Sequence, residues 1–372
     1  MSALSDTRPH VRNATSAHSA AGLPWLVADV GGTNARFGWV REASAEVLHV
    51  RQREVSQSPS LAAAARSYLE ELSQEGLEAH TQPGRAALAV ATAIQGDRVA
   101  MTNSPWSFSR TELQRDLGLQ ELQLLNDFEA LALSLPKLLP SQLRAIAGPR
   151  TGEALPCPSA TLAVIGPGTG LGVAGVVHTA SGWQALPGEG GHATLAPTDD
   201  FESEVLAEVR RHFDHVSAER LLSGIGLPVL HAAVAHVLGS PEALSESLGG
   251  SFGASLSAPD IVQAAQAGDP VSERTVQTFC ALLGNFAGNV ALTLGARQGV
   301  YIGGGIVPRL GPLFARSNFR EKFEAKGRFR AYLEQVPTVL ITDTLAALTG
   351  SAFALEQSSA AQRLSGADSG SA

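Results

Sequence analysis

Short apolar runs alternate with longer amphipathic stretches along the chain, and glycine-rich or polar turns separate them. The short runs predict strands, whereas apolar positions that recur every three to four residues predict helices. The predicted strands cover residues 25–28, 37–40, 47–55, 85–93, 97–102, 122–125, 161–165, 171–177, 299–302 and 338–341. The predicted helices cover residues 60–74, 109–117, 128–135, 201–212, 228–238, 259–267, 272–294, 309–315, 319–325, 329–334 and 346–355. This alternation predicts an α/β protein of two lobes, with the boundary in the Pro- and Gly-rich stretch at 136–158.

The first two predicted strands form a hairpin with an unusual tip. Asp29 precedes the turn, Gly31 and Gly32 make it, and Thr33 follows. Glycines there allow a positive φ and let a ligand approach the backbone without meeting a Cβ. Free backbone N–H groups at such a tip can bind an anion, and Asp29 could hold a divalent cation through water. An ordinary hairpin with an Asx-glycine turn is the alternative.

The second lobe opens with a similar unit, in which the turn Gly-Pro-Gly-Thr-Gly at 166–170 joins two strands. It is not a nucleotide P-loop, because no Gly-Lys-Ser/Thr follows. It is not a dinucleotide fingerprint either, because a strand rather than a helix comes next. Two glycine turns, one early in each lobe, indicate phosphate binding more specifically than either turn alone.

Polar side chains with ligand-binding chemistry follow several predicted strands. Asn126 and Asp127 come after the strand at 122–125, where ligands of open α/β sheets collect, although either residue could simply cap the next helix. Glu189 and His192 lie among glycines and suit a polyhydroxylated ligand; a flexible loop or a metal site are the alternatives. Glu219 is either a second sugar-binding carboxylate or an ordinary first-turn helix glutamate.

The composition narrows the range of functions. The chain has 372 residues with 27 basic and 35 acidic side chains, and the net charge of −8 argues against a general nucleic-acid binder. The two cysteines lie far apart, so a disulfide framework or a cysteine-rich zinc site is not expected, and a reducing cytoplasm fits. No apolar window approaches the ~20 residues of a membrane helix.

Residues 1–24 are predicted to be a disordered leader, with a mitochondrial-type transit peptide as the alternative, and 358–372 a disordered tail. The basic run at 322–330 is predicted to be a solvated face.

The order of these segments resembles the bacterial glucokinases, which belong to the superfamily of hexokinases, heat-shock proteins and actin. The similarity extends from about residue 25 to 357. Its matching segments are Asp29-Val30-Gly31-Gly32-Thr33-Asn34-Ala35-Arg36, Asn126-Asp127-Phe128, Gly166-Pro167-Gly168-Thr169-Gly170-Leu171-Gly172, Leu186-Pro187-Gly188-Glu189-Gly190-Gly191-His192, Ser217-Ala218-Glu219-Arg220, Gly303-Gly304-Gly305-Ile306-Val307-Pro308-Arg309 and Lys326-Gly327-Arg328-Phe329.

The resemblance implies a two-lobed actin-like ATPase (ribonuclease H-like) fold with the active site in the interlobe cleft. The small lobe would comprise 25–137 plus 340–357, and the large lobe 138–339. The implied reaction is transfer of the γ-phosphoryl group of ATP to the 6-hydroxyl of glucose, the entry step of glycolysis, with Asp127 as the base. A cytoplasmic homodimer is implied as well. Zinc is not expected, because residues 193–201 contain no cysteine.

The resemblance also assigns the ligand-contacting residues. Asp29 would hold Mg²⁺ through water, and Gly303 to Gly305 would admit adenine, although a plain strand-to-helix turn is the alternative there. The residues implied for glucose are Asn103, Asn126, Asp127, Glu189, His192 and Glu219. Those implied for ATP are Ala28, Asp29, Val30, Gly31, Gly32, Thr33, Gly168, Thr169, Gly303, Gly304 and Gly305.

Three other functions compete with this one. A kinase for another hexose, such as mannose or an N-acetylated amino sugar, would share the same motifs. A non-catalytic sugar sensor would use the same cleft without needing Asp127 and both phosphate turns. An actin-like assembling protein would not need Glu189 and His192.

Overall fold

The computed structural model describes residues 23–41, 46–78, 82–101, 103–149, 161–240 and 256–368, with side chains up to residue 359 in the last helix. All but the last two residues of the predicted leader lie outside these ranges, as does most of the predicted loop at 242–259. Within the described residues, no helix combines the length and the apolar character that a membrane crossing requires.

The first sheet has five strands in the order β3-β2-β1-β4-β7. Strand β1 is antiparallel to β2 and parallel to β4, which is parallel to β7. The predicted hairpin is therefore confirmed, although its strands extend closer to the tip. The strands are β1 (Trp25–Val30), β2 (Asn34–Val40), β3 (Leu48–Glu54), β4 (Arg85–Val90) and β7 (Glu121–Asn126); β5 (Arg98–Ala100) and β6 (Ser107–Ser109) form a separate pair.

The second sheet has six strands in the order β11-β10-β9-β12-β13-β8. Its β9–β10 hairpin is antiparallel and β9 is parallel to β12, so the pattern of the first sheet recurs. The strands are β8 (Leu143–Ala147), β9 (Thr161–Pro167), β10 (Leu171–Thr179), β11 (Gly182–Gly188), β12 (Val300–Ile302) and β13 (Thr338–Ile341). Leu340 and Ile341, where the predicted return to the small lobe begins, pair with β8 in this sheet.

The helices fall close to their predicted positions. They are α1 (Leu61–Gln74), α2 (Arg110–Asp116), α3 (Asp127–Ser134), α4 (Asp200–Val209), α5 (Ala218–Leu221), α6 (Gly226–Val237), α7 (Ala258–Gln266), α8 (Pro270–Leu294), α9 (Ile306–Leu310), α10 (Pro312–Ala315), α11 (Phe319–Glu324), α12 (Arg330–Glu334) and α13 (Ala346–Asp368). The predicted helix at 309–315 is divided in two, because Gly311 takes a φ of +52° between α9 and α10.

Helix α8 is the centre of the large lobe, as its small residues suggest. A Cβ added to Gly284 or Gly288 would overlap the carbonyl oxygens of Phe319 or Phe323, so glycine lets α11 approach backbone to backbone. Phe279, Phe319 and Phe323 are fully or almost fully buried in the same core.

The basic run at 322–330 is not the predicted solvated face at two of its lysines. The ammonium of Lys322 lies 2.6 Å from the Asp199 carboxylate and 3.0 Å from that of Glu202, and only 13% of its side chain is exposed. The ammonium of Lys326 donates to the carbonyl oxygen of Asn285 at 3.0 Å. Lys322 lies on α11 and Lys326 lies two residues after its end, and both face inward because α11 packs tightly on α8.

Helices α3 and α13 pack between the two sheets. A Cβ on Gly350 of α13 would overlap the carbonyl oxygen of Ala130 in α3, so the two helices cross with their backbones in contact. Side chains from both helices join a core that includes Val164, Val176 and Val339 of the second sheet. These helices therefore connect the lobes.

The last helix extends beyond its predicted end at 355 and reaches Asp368. The predicted disordered tail is therefore wrong up to that residue, and 369–372 lie outside the described ranges. The hydroxyls of Ser358 and Ser359 donate to the Leu355 carbonyl and contact the Arg85 guanidinium. Because these polar side chains find partners within and beside the helix, the polar composition does not end it.

Candidate active site

The cleft between the two sheets holds a cavity of about 630 Å³. Among the residues predicted to form the site, Asp29 reaches it from the first sheet, Asp127 from the start of α3, and Gly303 to Gly305 from the end of β12. Residues from both lobes therefore face one space. The lining also includes Phe128 and Asp343.

Asp127 is the first residue of α3, and Asn126 is the residue that caps this helix. The Asn126 carboxamide oxygen accepts from the Phe128 N–H at 2.9 Å, and the Glu129 carboxylate accepts from the Asn126 N–H at 3.2 Å. This reciprocal capping box satisfies the N-terminal donors of the helix. Asn126 thus caps the helix, whereas Asp127, whose Oδ1 also accepts from the Phe128 N–H at 2.9 Å, lines the cavity.

The environment of Asp127 favours its protonated form. Burial raises the pKa of this carboxyl to about 6, against its ordinary value of 3.8, and the nearby carboxylates of Asp29 and Glu189 add to the effect. A backbone hydrogen bond from Phe128 opposes the rise. A carboxyl with a pKa near 6 is ionised at neutral pH and can accept a proton.

Asp29 and Arg36 face each other across the first hairpin. They are partners in the antiparallel register, and the Arg36 guanidinium donates to the Asp29 carboxylate at 3.1 Å. Burial raises the pKa of Asp29, and the charge of Arg36 lowers it. Arg36 thus supplies a positive charge next to a carboxylate that water solvates poorly.

The first glycine turn lies beside Asn103. A Cβ on Gly32 would come within 2.5 Å of the Asn103 carbonyl oxygen, so the absence of a side chain allows this contact. Ala28 and Val30 are completely buried in the small-lobe core. Both residues are enclosed, and each pairs with the neighbouring strands β2 and β4.

The second glycine turn lies against the turn that follows β12. Gly304 has a φ of +76°, and a Cβ there would overlap the Pro167 carbonyl oxygen. The Gly303 N–H donates to the Ile165 carbonyl at 2.8 Å. At Gly168, by contrast, no atom of the described residues, apart from its chain neighbours, lies within 4 Å of an added Cβ, so this position opens onto free space.

The three remaining predicted sugar residues form a cluster. The His192 imidazole lies 4.0 Å from the Glu189 carboxylate and 3.9 Å from that of Glu219. The side chains of Glu189 and His192 are 70% and 63% exposed, and that of Glu219 is 29% exposed. Open carboxylate and imidazole groups at this spacing can pair with several hydroxyls of one ligand.

Three arginines in or beside the cavity were not predicted. Arg36 pairs with Asp29 across the hairpin, so the hairpin register could have indicated it. Arg309 lies close to Gly305 and ends the matched segment 303–309. Arg144 reaches the cavity from β8, and no local pattern marks it.

The donor set at the cavity suits one class of metal. Among the residues that the structure describes, no three His, Cys, Asp or Glu side chains are grouped so as to hold a metal ion. The partly buried carboxylate of Asp29, which pairs with Arg36, instead fits a cation that is held mainly by phosphates and water. Mg²⁺ is usually bound in that way.

The glucokinase family model matches residues 26–358. A glucokinase from Aromatoleum aromaticum is 44% identical over 340 residues, which are 91% of this chain and 96% of that protein. The "Bifunctional protein glk" of Burkholderia pseudomallei is also 44% identical, over 96% of this chain and 52% of that protein, so the chain spans about half the length of relatives of this second kind.

Two solved glucokinase structures are similar to this chain. A glucokinase from an Antarctic psychrotroph is 36% identical with a TM-score of 0.77, covering 89% of this chain and 98% of that chain. A ROK family glucokinase from Streptomyces griseus, in complex with glucose and AMPPNP, has a TM-score of 0.55 over 88% of this chain and 98% of that chain. It is only 18% identical, so this second likeness concerns the fold.

Proposed function

This chain belongs to the glucokinase family, and from that premise we propose that it transfers the γ-phosphoryl group of ATP to the 6-hydroxyl of glucose. The products are glucose 6-phosphate and ADP. The fold is the two-lobed actin-like ATPase fold expected from the sequence, as the likeness to a solved glucokinase bears out.

One observation carries the proposal. The Asp127 carboxyl, with a pKa near 6, lies on the cavity that also receives Asp29 and, from the large lobe, Gly303 to Gly305. A base that accepts a proton from an alcohol must be ionised at neutral pH. It must also lie near the γ-phosphate of the bound donor. Asp127 meets the first condition, and its place on one cavity with Asp29, next to the first glycine turn, supports the second.

The proposed role of Asp127 is to accept the proton of the 6-hydroxyl as that oxygen attacks the γ-phosphorus. The P–O bond to ADP breaks as the new P–O bond forms. Phosphoryl transfer needs mainly alignment and charge stabilisation from the protein. Arg36 and Arg309 are cations at the same cavity, and we assign them to the negative charge of the phosphates.

Glucose is proposed to lie between Asp127 and the cluster of Glu189, His192 and Glu219, with Asn103 beside the first turn. The acceptor oxygens of the two glutamates and the imidazole would pair with ring hydroxyls. Asn126, which caps α3 next to Asp127, is proposed to contact glucose as well.

ATP is proposed to lie across the glycine turns, with the phosphates at Gly31 to Thr33 and at Gly168 and Thr169, and adenine near Gly303 to Gly305. Ala28, Asp29 and Val30 complete this contact set. When bound, Mg²⁺ would neutralise phosphate charge, and Asp29 is the residue proposed to hold it through water.

The wider setting is part of the same proposal. We assign 25–137 and the residues after Ile341 to the small lobe, and the intervening residues to the large lobe. A cytoplasmic homodimer acting at the entry to glycolysis is the setting that the family relationship favours.

The deciding experiment measures ADP release with ATP and Mg²⁺, with and without glucose. Glucose-dependent release that disappears in Asp127→Asn is the expected result. If glucose raises the melting temperature but no ADP forms, the protein is a sensor. A panel with mannose and N-acetylated amino sugars then identifies the preferred hexose, because a site that pairs a given hydroxyl rejects analogues lacking it.

A further inference from the structure

Glu219 belongs to the proposed sugar cluster and also contacts the second glycine turn. Its Oε2 atom accepts a hydrogen bond from the Leu171 N–H at 2.8 Å, where the turn ends and β10 begins. Its Oε1 atom lies 3.9 Å from Nδ1 of His192. The two oxygens of one carboxylate thus face two different parts of the site.

The chain after Glu219 holds the other end of the same turn. The Gly224 N–H donates to the Gly168 carbonyl at 2.7 Å. The Ser223 hydroxyl donates to the Glu219 carbonyl at 2.8 Å and accepts from the Gly226 N–H at 3.0 Å, which keeps the segment compact. Residues 219–224 therefore hold the turn at both of its ends.

The fit between Glu219 and the turn depends on Gly170. A Cβ on Gly170 would overlap the Oε2 atom of Glu219, and no positive φ requires glycine at this position. The space left by the missing side chain is thus filled by the carboxylate. Gly170 can be changed to disturb this contact without removing the carboxylate itself.

We propose that Glu219 couples the binding of the two substrates, so that sugar bound at Oε1 orders the phosphate turn through Oε2, and ATP bound at the turn orders Oε1 for the sugar. This inference rests on the proposed function. Each ligand fixes the same side chain, so the second ligand meets a group that is already ordered and binds more tightly. Coupling of this kind is reciprocal and amounts to roughly 5- to 150-fold in affinity.

Glu189 is the matched control. It is also a carboxylate near His192, at 4.0 Å, but 70% of its side chain is exposed. The hydrogen bonds of the described residues join Glu219, and not Glu189, to the turn. Both glutamates should matter for sugar affinity, whereas only Glu219 should matter for coupling.

The experiment is titration calorimetry of the full chain with glucose, alone and with saturating Mg²⁺-AMPPNP, and of AMPPNP with and without glucose. In the unchanged protein we expect each ligand to raise the affinity for the other by the same factor, about fivefold or more. In Glu219→Ala this factor should fall towards one. In Glu189→Ala glucose should bind more weakly, but the factor should persist.

Gly170→Ala tests the same contact from the turn and should also lower the factor, which keeps the test decisive if Glu219→Ala does not fold. Glu219→Gln retains an oxygen for the Leu171 N–H and should retain part of the coupling. The inference would be overturned if Glu219→Ala kept the full coupling factor, or if the unchanged protein showed no coupling between glucose and AMPPNP. If neither glucose nor AMPPNP binds the unchanged protein, the proposed function itself is wrong.

Discussion

The aromatic ring of Phe128 lies directly against Gly172. A Cβ on Gly172 would overlap the ring, and one on Gly166 would overlap its far edge. Neither glycine has a positive φ, so these positions need glycine for space and not for backbone conformation. Since Phe128 follows Asp127, this contact fixes the start of α3 on the β9–β10 hairpin.

Gly172→Ala should therefore both destabilise the protein and misplace Asp127. We expect a loss of about 1–3 kcal/mol in the free energy of unfolding, typical of overpacking, together with a lower kcat. Thermal or urea unfolding and ADP release measure the two effects. Gly168→Ala is the control, because in the described part of the chain its Cβ meets no atom within 4 Å beyond its own neighbours. Its unfolding should not change, and only its KM for ATP should rise. Equal destabilisation in the two variants would contradict the role of the Phe128 contact.

Asp127→Asn should lower kcat by about 10²–10⁴, the usual contribution of a positioned general base. Glucose affinity should change much less, because the amide still forms hydrogen bonds. Asp200→Asn is a suitable control: Asp200 is also the first residue of a helix, but it is exposed and does not line the cavity. Near-normal turnover in Asp127→Asn would exclude Asp127 as the base.

The pH dependence of the reaction should reflect the raised pKa of Asp127. Because kcat/KM reports groups in the free enzyme, kcat/KM for glucose should fall about tenfold per pH unit below about pH 6. The residual activity of Asp127→Asn should lack this acid limb. A limb near pH 4 in the unchanged enzyme would mean that burial does not act on this carboxyl as described.

The same burial predicts a stability cost at neutral pH. The pKa of Asp127 is about 6 in the folded protein and 3.8 ordinarily, so the folded state holds this proton more tightly than the unfolded chain. Its contribution to stability therefore falls as the pH rises through this interval, by up to about 3 kcal/mol. Asp127→Asn should melt at a higher temperature than the unchanged protein at pH 7.5, and the difference should shrink towards pH 4. A lower melting temperature at pH 7.5 would refute this account.

Glu189→Gln should weaken glucose binding about tenfold, since a charged acceptor is replaced by a neutral one. The kcat at saturating glucose should change less, because Glu189 is not the proposed base. Calorimetric titration with glucose measures the effect. Glu204→Gln, an exposed change on α4, should leave the affinity unaltered. Unchanged affinity in Glu189→Gln would remove this residue from the sugar site.

The sequence predicts the local parts of this molecule well. Both glycine hairpins are antiparallel pairs of neighbouring strands, so their patterns of apolar residues and turns suffice. The strand before Asn126 also ends where predicted, within one residue. The sequence did not decide whether Asn126 or Asp127 caps α3, because both residue types are good caps. The capping box with Glu129 decides it.

What the sequence misses depends on contacts between distant segments. Arg144 reaches the cavity because β8 pairs with β13, almost 200 residues later in the chain. Lys322 resembles a surface lysine until α11 packs on α8 and brings it against Asp199 and Glu202. Periodicity describes one element at a time and cannot supply such pairings.

The crossing of α3 and α13 has a mechanical consequence. The chain leaves the first sheet through α3 and returns from the second through β13 and α13. Both covalent connections between the lobes therefore pass through these two helices, which touch at Ala130 and Gly350. In a rigid-body rotation, displacement grows with distance from the axis. If the lobes turn about this crossing, the rims of the cleft sweep widely while Asp127, on the first turn of α3, moves least. Such a rotation would open and close the cleft while Asp127, the proposed base, stayed close to the axis.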